Sequence, residues 1–315
     1  MKREIIFRLE SPYRDTMRIT AFRFGDYENK NSEKACAIVG ATRGNEAQQI
    51  YVCSRLVEVF RKLEEKGKIA SNKQILVIPT VNNYSMNTNK RFWSLDNTDI
   101  NRMFPGYDLG ETTQRIAYNV FEQVKNYTYG IQFPSYYMPG EFIPHIRIMH
   151  TGYEKAELGR EFGLPYVYIR DSRPYDTTTL NYNWQLWNTS AFSLYAGKTT
   201  QIDESAAEMA IRAVIRFLNK MGVCNCSVEE GFVSEVINSK YVSSVISTKG
   251  GIFQRIKRAG HHVIKGELLG RIMDPYDGSV HEELFAGVDG LIFFVCDSPF
   301  VYESTYVYKI IPSEM

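Results

Sequence analysis

The sequence lacks a long apolar segment, a surplus of either charge and a dense set of cysteines. No apolar run among the 315 residues is long enough to cross a bilayer, and the N-terminus, Met1-Lys2-Arg3-Glu4, opens no secretory apolar segment. The net charge of +1 gives no electrostatic argument for nucleic acid or an anionic membrane as a partner. Five cysteines in a chain of this length do not make a disulfide framework. We therefore expect a cytoplasmic, reduced protein that binds neither nucleic acid nor membrane.

The first two thirds of the chain carry the pattern of an α/β domain. Short apolar runs at 33–40 and 74–79 read as buried strands, and the intervening 47–67 has apolar residues at helical spacing. Strand, helix and strand in this order predict a βαβ unit with parallel strands. Further helices and strands are expected as follows: helices at 111–125, 153–162 and 203–221, and strands at 127–133, 146–149, 165–169 and 191–195.

The pattern changes after Gly222. Short strand candidates are separated by glycine-containing turns, and no helical periodicity remains. We expect an α/β domain over residues 1–222 and a β-rich domain over residues 223–315.

Two polar motifs lie where an α/β fold places its ligands. The segment 40–46, Gly-Ala-Thr-Arg-Gly-Asn-Glu, follows a strand and opens a helix, so it would lie at the carboxyl end of the sheet. The segment 99–106, Asp-Ile-Asn-Arg-Met-Phe-Pro-Gly, lies in a long polar loop spanning 82–108. An arginine in such a loop is suited to bidentate capture of a carboxylate.

These motifs resemble those of the succinylglutamate desuccinylase/aspartoacylase family, a branch of the zinc carboxypeptidase superfamily. The family's Gly-x-His-Gly-Asn-Glu corresponds to 41–46, and its Asp-x-Asn-Arg-x-Phe-Pro-Gly corresponds to 99–106. Pro144-His-Ile-Arg147 and Phe162-Gly-Leu-Pro165 are similar to two further family segments. The glycine-rich segments of the C-terminal part resemble the family's β domain, which is related to biotinyl/lipoyl barrels. The resemblance implies a zinc-carboxypeptidase-like mixed sheet flanked by helices, followed by a small, all-β, barrel-like domain.

The family's site residues transfer only in part. Its first zinc ligand is a histidine, where this chain has Arg43, and its second is a glutamate, which is Glu46 here. Its third ligand, a histidine in an Asp-Leu-His strand end, corresponds to Gln132, with Gly130 at the aspartate position. Its catalytic glutamate corresponds to Tyr195. The resemblance therefore implies a frame in which two of three metal ligands and the general base are replaced.

The substrate grip of the family is retained. Asn101 and Arg102 match it, and with Arg147 they would bind the carboxylate of a small molecule or a peptide end. We expect no metal at the family positions, because a guanidinium has no acceptor and zinc needs imidazole, thiolate or carboxylate ligands. Our hypothesis is that the Arg43 guanidinium occupies roughly the vacated metal volume and pairs with Glu46 three residues on. Gln132 would then form a hydrogen bond to the same cluster.

Three functions remain open at this stage. The first is a metal-free pseudoenzyme that binds a carboxylate-bearing ligand. The second is an amide hydrolase acting on N-acyl amino acids, with zinc held by unexpected ligands such as His145 and His150. The third is metal-free chemistry in the same cleft, with Arg43, Glu46 and Tyr195 as catalytic groups. The oligomeric state is also open, and a homo-oligomer fits the sequence.

Overall fold

The computed structural model describes residues 1–11, 15–199 and 201–313, and these form two compact units. The first unit comprises residues 1–135, 144–195 and 199–236, and the second comprises 136–143, 196–198 and 237–315. The expected boundary at residue 222 stays a prediction about domains. The segment that follows it, up to residue 236, belongs to the first unit.

The first unit is an α/β domain. Its strands are β1 (Lys2–Leu9), β2 (Met17–Gly25), β3 (Glu33–Ala41), β4 (Lys73–Thr80), β5 (Tyr129–Gln132), β6 (Gly140–His150, of which 144–150 belong here), β7 (Tyr166–Asp171), β8 (Ser190–Gly197, of which 190–195 belong here) and β9 (Glu235–Asn238, of which 235–236 belong here). Its helices are α1 (Ala47–Glu65), α2 (Asn83–Met86), α3 (Thr112–Val124), α4 (Ala156–Arg160), α5 (Leu180–Leu186) and α6 (Glu204–Lys220).

The predicted βαβ unit is present. β3 and β4 pair in parallel, and α1 connects them. The apolar run of β3 is buried from Ala35 onward, as expected of a strand covered on both faces. Gly40 lets α1 approach closely, because a Cβ there would lie 2.9 Å from the Cys53 sulfur and 2.2 Å from the Pro79 carbonyl oxygen. The first half of the fold prediction is therefore confirmed.

The central strands of the first unit run in parallel and bring three predicted site segments to one edge. The strand order is β1-β2-β4-β3-β5-β8-β6, with β7 beside β6. Pairing of β3 with β5 and of β5 with β8 is parallel, so their carboxyl ends lie at the same edge. Arg43 follows β3, Gln132 ends β5 and Tyr195 lies near the end of β8. The sheet is mixed, because β1 and β2 are antiparallel to each other and β2 is antiparallel to β4.

The structure adds elements that the sequence analysis did not predict. β1 and β2 extend the sheet beyond β4, and α5 forms between β7 and β8. The helix expected at 153–162 is confined to Ala156–Arg160. The Glu154 carboxylate accepts hydrogen bonds from the backbone N–H groups of Thr151 and Gly152, which holds a turn ahead of the helix and delays its start.

The second unit is built from strands. They are β10 (Ser243–Ile246), β11 (Gly251–Arg255), β12 (His262–Val263), β13 (Leu268–Met273), β14 (Val280–Phe285), β15 (Gly290–Cys296), β16 (Phe300–Val301) and β17 (Tyr306–Pro312). One sheet has the order β14-β13-β11-β16, and β15, β17, β10 and β12 form a second set with residues 140–143 of β6. Within the described residues beyond α6, the only helical segment is the short 3-10 helix Ser239–Tyr241. The expected β-rich C-terminal part is confirmed.

Among the described helices, none combines the length and the apolar character that crossing a bilayer requires.

Candidate functional site

The turn between β3 and α1 is closed by a buried carboxylate. Glu46 is the residue before the first helical position of α1, and it is fully buried. Its Oε2 accepts hydrogen bonds from the backbone N–H groups of Thr42 and Arg43, at 2.9 and 3.0 Å. Its Oε1 accepts from the backbone N–H of Ser135 at 3.2 Å and from the Ser135 hydroxyl. The Glu46 side chain therefore organises its own turn instead of capping its helix.

The Arg43 guanidinium lies between two carboxylates. Arg43 is 4% exposed, and its Nη1 lies 3.3 Å from Glu46 Oε1 while its Nη2 lies 2.8 Å from Asp99 Oδ2. Nη1 also donates to the Ser135 hydroxyl at 3.2 Å. Burial alone would lower the pKa of Arg43, but the charges of Glu46 and Asp99 outweigh it and raise the pKa above its ordinary value. The expected pairing of Arg43 with Glu46 is present, and Asp99 is a second partner that was not predicted.

The long loop delivers its polar residues through a short 3-10 helix, Ile100–Arg102. Asp99 caps this helix by accepting from the backbone N–H of Asn101 at 3.1 Å, so one carboxylate both shapes the loop and binds Arg43. Gln132 Nε2 donates to Asn101 Oδ1 at 2.8 Å. The hypothesis that Gln132 bonds directly into the Arg43 cluster is therefore corrected. Gln132 is connected to that cluster through Asn101, because the N–H groups of Arg43 already donate to Asp99, Glu46 and Ser135.

Tyr195, at the family's base position, lies in an aromatic and cationic stack. The imidazole of His145 is parallel to its ring, with centroids 5.1 Å apart and planes inclined by 3°. The Arg147 guanidinium lies 4.0 Å from the centre of the same ring, within cation–π range. Arg147 Nη2 and His145 Nε2 are 3.3 Å apart, and the guanidinium must be the donor, so His145 accepts at Nε2.

Arg102 lies in a separate ion-pair group. Its Nη1 lies 3.2 Å from Asp176 Oδ1, and Arg170 Nη2 lies 2.9 Å from Asp176 Oδ2. Two guanidiniums thus share one buried carboxylate. Burial alone would lower the pKa of Arg170, but the hydrogen bond and the negative charge of Asp176 oppose it, and the net shift of the pKa is upward. The structure brings Arg102 to this group, and it brings Asn101 to Gln132.

Two residues of this region were missed by the sequence analysis. Ser135 follows β5 closely and bonds both Arg43 and Glu46, but no motif marks it. Arg91 lies in the long loop, and its carbonyl oxygen accepts from the backbone N–H of Gly44 at 3.1 Å. Burial lowers the pKa of Arg91, and the positive charge of Arg43 lowers it further. An arginine in a polar loop that follows a strand was the available signal.

The residues at the family's metal positions do not fit a zinc ion. A guanidinium offers five donors and no lone pair, so Arg43 cannot be a ligand. Both oxygens of Glu46 are already bonded to N–H and O–H donors. Gln132 contributes an amide, whereas zinc sites use histidine, cysteine and carboxylate ligands. Across the described ranges, no group of three histidine, cysteine or acidic side chains could hold a metal ion.

His145 and His150 do not form a shared site. They are five residues apart on β6, which directs them to opposite faces of the strand. His145 is buried against Tyr195 and Arg147, while the exposed His150 forms an ion-pair contact with Glu154. A relocated metal site built on both histidines, one of the alternatives that the sequence leaves open, is therefore not supported by their placement.

Comparisons with known proteins identify the family and the fold of the chain. Residues 32–221 match the family model of the succinylglutamate desuccinylase/aspartoacylase catalytic domain. Because this match covers more than half of the 315 residues, the chain belongs to the succinylglutamate desuccinylase/aspartoacylase family. Among curated proteins, none matches the chain.

Solved structures share the fold at low sequence identity. A succinylglutamate desuccinylase from Silicibacter sp. TM1040 has a TM-score of 0.80 at 16% identity, over 98% of this chain and 94% of its own. An aspartoacylase family protein from Mesorhizobium loti has a TM-score of 0.77 at 16% identity, over 95% and 91%. A succinylglutamate desuccinylase/aspartoacylase from Rhodobacter sphaeroides has a TM-score of 0.76 at 17% identity, over 94% and 89%. These similarities establish the fold.

Proposed function

We propose that this chain is a metal-free member of its family that binds a carboxylate-bearing small molecule or peptide end. The observation that carries the proposal is that the Glu46 carboxylate already has a cation and hydrogen-bond donors as partners. Its carboxylate is neutralised by Arg43 and accepts hydrogen bonds from Thr42, Arg43 and Ser135. A fixed organic cation thus supplies the positive charge that a metal ion would bring, and removing that cation would leave a buried carboxylate uncompensated.

The surrounding charges favour an anionic ligand. Arg102 and Arg170 share the single carboxylate of Asp176, so this group carries an excess positive charge. Burial lowers the pKa of Arg91, the nearby positive charge of Arg43 lowers it further, and an anion between the two guanidiniums would relieve that repulsion. Arg147 is held over Tyr195 in a fixed orientation, which lessens the entropy lost on gripping a carboxylate.

Calorimetric titration of chelator-treated protein with N-acetyl-L-glutamate tests this proposal. We expect binding to survive EDTA, because the cations that hold the ligand are arginines. Arg147→Met should weaken it at least about tenfold, equivalent to about 1.4 kcal/mol. Arg147→Lys should restore little, because lysine lacks the planar fork.

The matched control is Arg160→Met. Arg160 is an exposed residue of α4 whose carboxylate partner, Glu157, is 3.9 Å away, so its removal should leave binding unchanged. Binding that disappears with EDTA and returns with zinc would contradict the proposal and favour the amide hydrolase with an unexpected metal site.

A reduced cytoplasmic location stays a prediction, and the five free thiols are compatible with it.

A further inference from the structure

Two carboxamides on α5 are buried with polar atoms that have no hydrogen-bond partner. Asn181 and Gln185 are 1% and 2% exposed, and their i, i+4 spacing places them on one face of the helix. Within the described residues, Asn181 Nδ2, Asn181 Oδ1 and Gln185 Nε2 each have no partner. Buried polar groups in folded proteins are almost always hydrogen-bonded, so three unpaired atoms on adjacent turns call for a physical reason.

The same helix shows how a structural carboxamide is satisfied. Asn183, also buried, donates from Nδ2 to the carbonyl oxygens of Phe104, Thr177 and Thr179, at 3.2, 2.9 and 2.9 Å. It ties the long loop to the start of α5. Asn181 and Gln185 lie on another face of the helix, and among the described residues the one bond that their side chains form is the one that Gln185 Oε1 accepts from Thr151. The hydrogen bonds of the fold therefore do not account for the three unpaired atoms.

The face of α5 that carries Asn181 and Gln185 lies along the side of β6 that carries Arg147. Thr179 Oγ1 lies 4.0 Å from the sulfur of Met149, and the Thr151 hydroxyl donates to Gln185 Oε1. Arg147, Met149 and Thr151 alternate along the strand and its extension, so they share one face. At about 3.3 Å per residue, Met149 and Thr151 lie about 7 and 13 Å from Arg147. A ligand held at Arg147 needs only the length of a small amino-acid derivative to reach this face.

The unpaired atoms define the chemistry of their partner. Nδ2 of Asn181 and Nε2 of Gln185 are donors, and Oδ1 of Asn181 is an acceptor. A carboxylate could satisfy the two donors but would confront the acceptor with another acceptor. An ammonium group would do the reverse. An amide carries both a carbonyl oxygen and an N–H, so it can pair with all three atoms.

We propose that Asn181 and Gln185 form a specificity subsite for an uncharged amide group of the ligand. The subsite rests on the proposed function, because it takes the ligand whose carboxylate is held at Arg147. The ligand class is then a carboxylate that also bears a side-chain carboxamide, in place of a second carboxylate.

Two nearly isosteric probes test the subsite: N-acetyl-L-glutamine and N-acetyl-L-glutamate, titrated calorimetrically into EDTA-treated protein. We expect N-acetyl-L-glutamine to bind at least about tenfold more tightly. This runs against simple charge attraction, since the arginine-rich surroundings would favour the extra negative charge of glutamate. Asn181→Leu should abolish the preference by weakening the glutamine probe alone, and Asn181→Asp, which keeps the side-chain shape, should do the same.

Stability separates a binding role from a structural one. Asn181→Leu removes unpaired polar atoms, so we expect its melting temperature to be unchanged or raised, whereas Asn183→Leu should lower it. If both probes bind equally and Asn181→Leu leaves that ratio unchanged, the carboxamides hold only water and the subsite is overturned while carboxylate binding stands. If neither probe binds and Arg147→Met behaves like the parent, the proposed function fails as well.

Discussion

At the scale of single residues, Arg43 determines the charge balance of the site. Arginine at position 43 places a permanent cation beside Glu46, and the ion pair follows from their spacing of three residues. That contact could be predicted from the sequence. The contribution of Asp99 could not, because 56 residues separate it from Arg43 and only the packing of the loop brings them together.

The buried cluster predicts a large loss of stability on removing Arg43. Arg43→Met leaves Glu46 and Asp99 without their cation, which should lower the free energy of unfolding by about 3–5 kcal/mol. Arg55→Met is the control, because Arg55 forms an exposed i, i+3 pair with Glu58 and should lose less than about 1 kcal/mol. Urea denaturation of the three proteins measures both values. Equal small losses would show that Arg43 does not compensate the buried carboxylates.

At the scale of secondary structure elements, packing decides what the sequence pattern leaves open. The strands and helices around β3, α1 and β4 could be predicted, because their apolar residues are numerous and regularly spaced. β1 and β2 were missed, although Met17, Ile19 and Ala21 alternate toward the core with exposed or half-buried neighbours. α5 was missed because three of its seven residues carry carboxamide side chains, the buried Asn181, Asn183 and Gln185. Its stability comes from tertiary contacts such as those of Trp184.

Gly130 illustrates how one element constrains another. The residue sits where the family pattern has aspartate, and a Cβ there would lie 2.7 and 2.8 Å from ring carbons of Trp184. Trp184 is fully buried and donates from Nε1 to the Val124 carbonyl oxygen at 3.2 Å, so its ring cannot move aside without breaking that bond. Trp184 is therefore a core residue and does not line a ligand surface.

This packing predicts that Gly130→Ala destabilises the protein by about 1–3 kcal/mol through overpacking. Gly287→Ala serves as a control, because a Cβ at that position meets only the Ser243 hydroxyl oxygen at 3.7 Å, an ordinary contact. Differential scanning calorimetry of both variants gives the comparison. A Gly130→Ala variant as stable as the parent would mean that α5 can shift away from β5 freely.

At the scale of the whole molecule, the family fold is retained, while the three positions that the resemblance assigns to two zinc ligands and the general base hold other residues. Arg43, Gln132 and Tyr195 each have specific partners, namely Glu46 and Asp99, Asn101, and the His145–Arg147 pair. The sequence could predict the replacements through the motifs that surround them. It could not predict the partners, because these contacts join distant strands and loops.

Reversing the replacements should recover a metal centre. We expect the variant combining Arg43→His, Gln132→His and Tyr195→Glu to bind about one equivalent of zinc, because it restores two imidazoles beside Glu46. It should also hydrolyse N-acyl amino acids, while the parent does neither. Gly130 must be left unchanged in this variant because of Trp184. A folded, stable variant that takes up no zinc would show that restoring the ligands alone does not restore the metal site.

The central claim is that the parent chain works without a metal, and its zinc content tests that most directly. Untagged protein would be incubated with zinc, desalted and analysed by elemental mass spectrometry. We expect less than about a tenth of an equivalent, because Arg43 stands at a ligand position and both carboxylate oxygens of Glu46 are already hydrogen-bonded. About one equivalent, retained after desalting, would contradict it.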